Sequence, residues 1–258
     1  MKKFYFIVAL TMASLGANAQ EKVTISTYNG TNVEKFDGQM CNVTVNRYIF
    51  NGWNTIALPF AITAEELNEV FGSDCKLERL VSVENTGNDV QLNFQDCKSA
   101  GMEANTPYIL YYNGENGNKK IAKEAVISHE SSTITLRTQR GETVTMSGVE
   151  SKTAGLGFYG ILARDNAEAK FTKVDASLSG FLATRCYIQL ASGTEAKLVT
   201  NHLAAGETTS INAITRNGEK VDVFTVNGVR VATNLNASEV NSLRPGLYVV
   251  KGQKVIVK

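Results

Sequence analysis

Two histidines, one tryptophan and three prolines are spread over 258 residues, and the four cysteines never approach a C-x-x-C spacing. Each scarcity removes a class of function. Cys41, Cys75, Cys97 and Cys186 have no histidine beside them, so zinc sites and thioredoxin-like motifs, which need close ligand spacing, have no basis. His129 and His202 sit in polar stretches without an acidic or cysteine partner nearby in sequence, and no nucleophile elbow is present. Asp74, Asp89 and Asp96 are separated by turns rather than set in a calcium loop. Gly155, Gly157 and Gly160 reproduce the spacing of a dinucleotide fingerprint but lack its βαβ setting. Charge is balanced, 26 basic residues against 25 acidic, with no basic stripe interleaved with aromatics, which argues against nucleic acid as a partner. No catalytic residue, metal site or cofactor is expected.

Long apolar runs are also missing. Phe4–Leu15 is mostly apolar but too short to cross a bilayer, and no later stretch approaches the required length. Lys2-Lys3 precedes that run and Ala17-Asn18-Ala19 follows it, which predicts a signal peptide over residues 1–19 and a mature chain from Gln20. No cysteine follows the cleavage site, so a lipid anchor is not expected. The sequence therefore points to export, with the cell surface or medium as destination and the periplasm as the alternative. In such a compartment an even number of cysteines permits disulfides. A Cys75–Cys97 bridge across a strand–turn–strand segment and a set of buried free thiols both remain open.

What the chain has in abundance is short strand patterns punctuated by glycine and asparagine. They recur at Val23–Tyr28, Met40–Phe50, Thr55–Leu58, Lys76–Val83, Val90–Phe94 and Pro107–Tyr112. Further ones follow at Ile121–Ile127, Thr133–Leu136, Thr143–Met146, Gly157–Ala163, Lys170–Val174, Leu182–Leu190 and Ala196–Val199. One helix is predicted over Thr63–Phe71, capped by Thr63, with Glu65 and Glu66 in its first turn and Gly72 as its stop. The fold class is mainly β: an antiparallel β-sandwich-like passenger over residues 20–205 with one short helix, as one domain or two subdomains. Asn201–Ser210 is rich in small and polar residues, and residues 206–210 are taken as the linker to a C-terminal β domain at 211–258.

In that tail Val221–Val231 reads as strand, Asn227-Gly228 turn, strand, because those two residues most readily reach positive φ. Pro245-Gly246 marks a second turn, and Leu247–Val250 and Val255–Val257 form another strand pair around Lys251-Gly252. The strand–Asn-Gly–strand unit, the segment Leu243–Val250 with Pro245, Gly246, Leu247 and Tyr248, and the terminal Lys254–Lys258 together resemble the C-terminal sorting domains of Bacteroidetes proteins exported by the type IX secretion system. The resemblance covers about a fifth of the chain and departs from the family in lacking its opening Pro-Asn-Pro, where Ser210-Ile211-Asn212 stands. It implies a small β-sandwich read by secretion or sorting machinery, which often removes it. Separately, Gly52–Phe60 with the following helix, and Glu103–Leu110 later, resemble a W-N-T-x-x-L-P-F module of Bacteroides and Prevotella surface proteins. That likeness implies a β scaffold and a surface location, not a reaction.

Three aromatics are candidate ligand contacts. Trp53 could offer an apolar face to a sugar, although its apolar neighbours also suit a core position. Strand alternation puts Tyr108 and Tyr112 on one face and Tyr111 on the other, as either a ligand ladder or cross-strand packing. The leading expectation is a non-enzymatic adhesion or interaction module with a sorting tail, its partner a surface glycan or another surface protein. A carbohydrate-binding module, a surface-filament subunit and a hydrolase with a triad hidden in sequence stand beside it.

Overall fold

The structure, a computed structural model, describes residues 20–130, 133–175, 180–191, 196–205, 207–208, 220–236, 239–240 and 242–257. The expected signal peptide and Lys258 lie outside them. Among the described residues the chain is mainly β, with one α-helix of more than a turn, at Ala64–Phe71 in the passenger. Its strands are β1 (Lys22–Ile25), β2 (Met40–Ile49), β3 (Gly52–Ile56), β4 (Lys76–Thr86), β5 (Asp89–Asp96), β6 (Tyr108–Tyr112), β7 (Gly117–Val126), β8 (Thr133–Arg137) and β9 (Thr143–Gly148). They continue as β10 (Tyr159–Ile161), β11 (Phe171–Lys173), β12 (Cys186–Leu190), β13 (Leu198–Leu203), β14 (Glu207–Thr208), β15 (Val221–Thr225), β16 (Arg230–Leu235), β17 (Gly246–Val250) and β18 (Gln253–Val257), with α1 at Ala64–Phe71.

The strands assemble into four sheets, ordered β1-β2-β7, β13-β5-β4-β6-β3, β11-β10-β12-β9-β8 and β14-β18-β17-β15-β16. Pairing is mostly antiparallel. An edge strand joins its neighbour in parallel in three places: β1 on β2, β13 on β5 and β14 on β18. The β13-to-β3 sheet is the middle of three layers. One of its faces packs Ile56, Leu77, Tyr108 and Leu110 against Val43, Val45, Ile121 and the Leu67 and Phe71 of α1. The other packs Leu80, Leu92, Phe94 and Ile109 against Val144, Met146, Phe171 and Ile188 of the β11-to-β8 sheet. Coverage on both sides explains why every residue of β3 is buried and its sequence does not alternate.

Helix α1 forms where it was predicted. Thr63 Oγ1 accepts from Glu66 N at 3.3 Å while Thr63 N donates to Glu66 Oε2 at 2.8 Å, a reciprocal cap. Gly72, at φ 86°, ends it. Lys123 Nζ, 2.5 Å from Glu66 Oε2, ties the helix to β7.

The tail has a core of its own, Val221, Val223, Val240, Val250, Val255 and Val257, on one face of its five-stranded sheet. Its first hairpin closes differently from the expected turn. Gly228 takes φ 80°, but Asn227 does not take positive φ. Gly228 N donates to Thr225 O and Thr225 N to Val229 O, so the turn runs over Val226-Asn227 with Gly228 as the left-handed residue after it. At the other hairpin Lys251 and Gly252 both have positive φ, 50° and 78°.

The boundary between passenger and tail also shifts. Asn201–Leu203, read from sequence as the start of a polar connection, are the end of β13. Glu207–Thr208, inside the expected linker, pair with Lys254 and Val255 as the edge of the tail sheet. Polar composition misled here because the strand's partners are polar too. Asn201 Nδ2 donates to Asn93 Oδ1 at 2.9 Å, and Asn93, fully buried, donates to Ser82 Oγ and Glu84 Oε1.

Candidate functional site

Trp53, Tyr108 and Tyr112 are all buried, at 6%, 2% and 6% exposure. Alternation along β6 holds as expected: Tyr108 and Tyr112 belong to the core beneath the β1-β2-β7 sheet, while Tyr111 packs on the opposite side. Tyr108 Oη accepts from Glu103 N at 3.1 Å, and burial raises its phenol pKa. Lys119 Nζ stands 4.6 Å over the ring of Tyr112. None of the three aromatics offers an open face to a sugar, so the expected ligand platform becomes packing.

Cys75 and Cys97 are free thiols, and so are Cys41 and Cys186. Of the two readings left open by the sequence, the Cys75–Cys97 bridge is absent and the thiols are free. Cys75 Sγ donates toward Leu67 O of α1 at 3.9 Å, and Cys97 Sγ donates to Leu77 O at 3.5 Å. Burial raises both thiol pKa values, and for Cys97, with help from Asp96, it pushes the value to about 12.

The structure assembles three features that local sequence did not signal. The first joins residues 124 positions apart. His202 Nδ1 on β13 lies 2.6 Å from Oε2 of the buried Glu78 on β4, the ring nitrogen donating when the carboxylate is ionised. The imidazole stacks on Trp53 with centroids 4.5 Å apart and planes 18° from parallel, and Trp53 touches Tyr111 at 5.3 Å. His202 thus has the acidic partner its sequence neighbours lack. The pair carries an oriented imidazole, but no serine, threonine or cysteine is hydrogen-bonded to it among the described residues. Through these side-chain contacts it ties the edge strand β13 to β4 and β3.

The second is Arg47, on the inward phase of β2 with Cys41, Val43, Val45 and Ile49. It is 2% exposed and has no carboxylate partner among the described residues. Its Nη1 donates to Thr184 O at 2.6 Å and its Nη2 to Thr55 O, so one side chain links β2, the middle sheet and the segment entering β12. Burial, with Arg185 nearby, pushes its pKa down to about 9. The adjoining Cys186 thiol is pushed up to about 12, also by burial.

The third is a seam between two sheet edges. β11 is the edge of one sheet and β13 the edge of another. Between them lies a groove of about 630 Å³ lined by Asn88, Lys170, Thr172, Lys173, Lys197 and Leu198, among others. A second groove of about 420 Å³ shares Lys170, Lys197 and Leu198 and continues to Thr200. Thr200 Oγ1 donates to Ala169 O at 2.7 Å across its floor.

Among the described residues no three His, Cys, Asp or Glu side chains come together as a metal site. No helix among them is long and apolar enough to cross a membrane. Compared with known proteins, the chain matches no family model, no curated protein and no solved structure.

Proposed function

We propose that this chain is an exported, non-enzymatic surface protein whose three-layer β body serves as an interaction module and whose tail is a sorting unit. One observation carries the reading. The tail sheet buries six valines on one face and leaves large apolar side chains on its strands and turns exposed, including Val226 at 53%, Leu247 at 45% and Ile256 at 43%. Leu247 and Ile256 are cross-strand neighbours, so they form one patch. A small unit with its own core and an apolar patch on its outer surface is suited to capture by a receptor. The leader pattern and the tail's resemblance to sorting domains add to this.

The alternatives draw less support. A carbohydrate module built on Trp53, Tyr108 and Tyr112 would need those rings in the open. A filament subunit that donates its last strand would need β18 free, whereas β18 pairs with β17 and β14 in its own sheet. A hydrolase would need a nucleophile beside His202.

The test is intact mass and C-terminal peptide mapping of the native protein, taken separately from outer membrane and medium. A mature chain that begins at Gln20 and has lost the stretch after about Ser210 supports a removable sorting tail. A chain running from Gln20 through Lys258 in both fractions sinks removal, and retention of residues 1–19 sinks export.

A further inference from the structure

In an Asn-Gly unit the asparagine side chain is open to attack by the next main-chain nitrogen, because glycine has no Cβ to hinder the approach. The sequence holds six such units, at Asn29, Asn51, Asn113, Asn116, Asn217 and Asn227. Asn217 lies outside the described residues. The other five share one local chemistry and differ in what the fold does with them.

In four of them the reacting groups are held. Gly30 N donates to Ser26 O at 3.1 Å, and Gly30 is bridged to Ser151. Gly228 N donates to Thr225 O at 2.9 Å. Asn51 is fixed at its N–H, its C=O and its side-chain amide: its N donates to Asn116 Oδ1 at 2.6 Å, its O accepts from Asn166 Nδ2 at 2.6 Å, and its Nδ2 donates to Gly114 O at 3.0 Å. Gly52 after it is buried. The bond from Asn51 N also holds the side chain of Asn116, and Gly117 opens β7 opposite Ile49. Asn113 is different. It is exposed in the connection from β6 to β7, and its side chain makes no hydrogen bond among the described residues. Gly114 uses its carbonyl to accept from Asn51, but its N–H donates to no described residue.

We propose that Asn113 is a modification site at which the folded chain deamidates by its own chemistry, with water as the only co-reactant. The deprotonated Gly114 nitrogen attacks Asn113 Cγ, so an N–Cγ bond forms, the Cγ–Nδ2 bond breaks, and the amide nitrogen leaves as ammonia after taking up a proton. Water then adds to either carbonyl of the succinimide and breaks that carbon's bond to the ring nitrogen. The product is aspartate or, by the other opening, isoaspartate, and in both an amide and a water have become an acid and an ammonia. Isoaspartate routes the main chain through Cβ, which adds a methylene between residues 113 and 114. Gly114 has no room for that shift, because even a Cβ placed on it would overlap Tyr112 Oη. The displaced carbonyl of Gly114 releases Asn51 Nδ2, which uncouples the β6–β7 connection from the turn between β2 and β3. The site thus gains a negative charge and loses a joint with time.

The test incubates the full mature chain in mildly alkaline, oxygen-labelled water, once folded and once in concentrated urea, and follows each asparagine by peptide mass spectrometry. Chromatography separates the isoaspartyl from the aspartyl peptides. In the folded chain, conversion at Asn113 should run about tenfold or more ahead of Asn29, Asn51, Asn116 and Asn227, because those units must first break a hydrogen bond or open a strand end. In urea the five rates should converge. Ammonia release from the folded chain should lose its fast phase in Asn113→Gln, since glutamine would have to close a larger ring. The proposal is overturned if Asn113 converts no faster than the other four in the folded chain, or if the fast phase survives Asn113→Gln. It is equally overturned if the lead of Asn113 is undiminished in urea, because its flanking residues rather than the fold would then set it. None of these outcomes bears on residues 1–19 or on processing of the tail, so a failure here is distinguishable from a failure of export.

Discussion

The middle sheet of the passenger and the sheet of the tail have five strands each and opposite fates. The first is covered on both faces, by α1 and the β1-β2-β7 sheet on one side and the β11-to-β8 sheet on the other. The second is packed on one face, against Val240 and Leu243, and leaves Leu247 and Ile256 exposed on its strands. Burying both faces costs sequence freedom: β6 reads as an unbroken apolar or aromatic run, and β3 buries Asn54 and Thr55 along with Trp53 and Ile56. Burying one face leaves the other free to carry a different message. In the tail that outer surface carries an apolar pair, Leu247 and Ile256, among exposed polar and charged residues such as Lys254 and Arg230, which makes it the more informative of the two.

The comparison breaks most directly at the centre of each core. Phe94 is fully buried and stacks on Phe171 of the next layer at 5.9 Å. Phe94→Ala is expected to cost about 4 kcal/mol. Val223 is fully buried in the tail, and Val223→Ala should cost about 2 kcal/mol by the methylene scale. Calorimetry should show the first change lowering only the passenger transition and the second only the tail transition. If each variant lowers both, the two cores melt as one unit and the contrast fails.

Alkaline pH offers a gentler division, because all four cysteines lie in the passenger. Cys97 and Cys186 have folded-state pKa values pushed up to about 12. Above pH 9 the unfolded chain loses those protons while the folded chain keeps them, so passenger stability falls as pH rises from 9 toward 12. Arg47 acts in the opposite sense over the same window, because its folded pKa is depressed to about 9 and unfolding restores the proton. Comparing the parent with Cys97→Ala/Cys186→Ala isolates the thiols. At pH 10 the parent's additional loss, relative to pH 8, should be on the order of 1 kcal/mol per thiol. The tail transition should show no difference between the two proteins.

The smallest effect should come from the helix cap. Thr63→Ala removes the acceptor for Glu66 N and is expected to cost about 1 kcal/mol, again in the passenger alone. Urea titration followed by Trp53 fluorescence would detect it. No change at all would mean that the first turn is held by Lys123 and Glu66 without help from the cap.

Local features were legible in the sequence wherever the decisive contacts were themselves local. Thr63, Glu66 and Gly72 are a few residues apart, so the helix and both its ends could be read directly. The two faces of β6 followed from alternation alone. What stayed hidden depends on distant partners. The start of β13 was legible at Ala196–Val199, but its end looked like a connection because Asn201 and His202 are polar, and they are accommodated by Asn93 and Glu78, each more than a hundred residues earlier. The Cys75–Cys97 bridge was plausible from the hairpin between them, yet the two thiols hydrogen-bond to different carbonyls, Leu67 O and Leu77 O. The lysine seam could not be read at all. Lys170 and Lys197 immediately precede separate strands, β11 and β13, and only the meeting of two sheet edges puts them in one groove.

Arg47 carries a consequence for the order of assembly. One of its carbonyl acceptors is eight residues away and the other 137, so the second arrives only after a long loop has closed. Until then a hydrated cation occupies the place where two layers would otherwise collapse on each other, and dehydrating it early is unfavourable. A passenger that has not yet brought up Thr184 is therefore expected to stay hydrated around this side chain. The side chain acts as a checkpoint, sealed in only when strands from all three layers have come together.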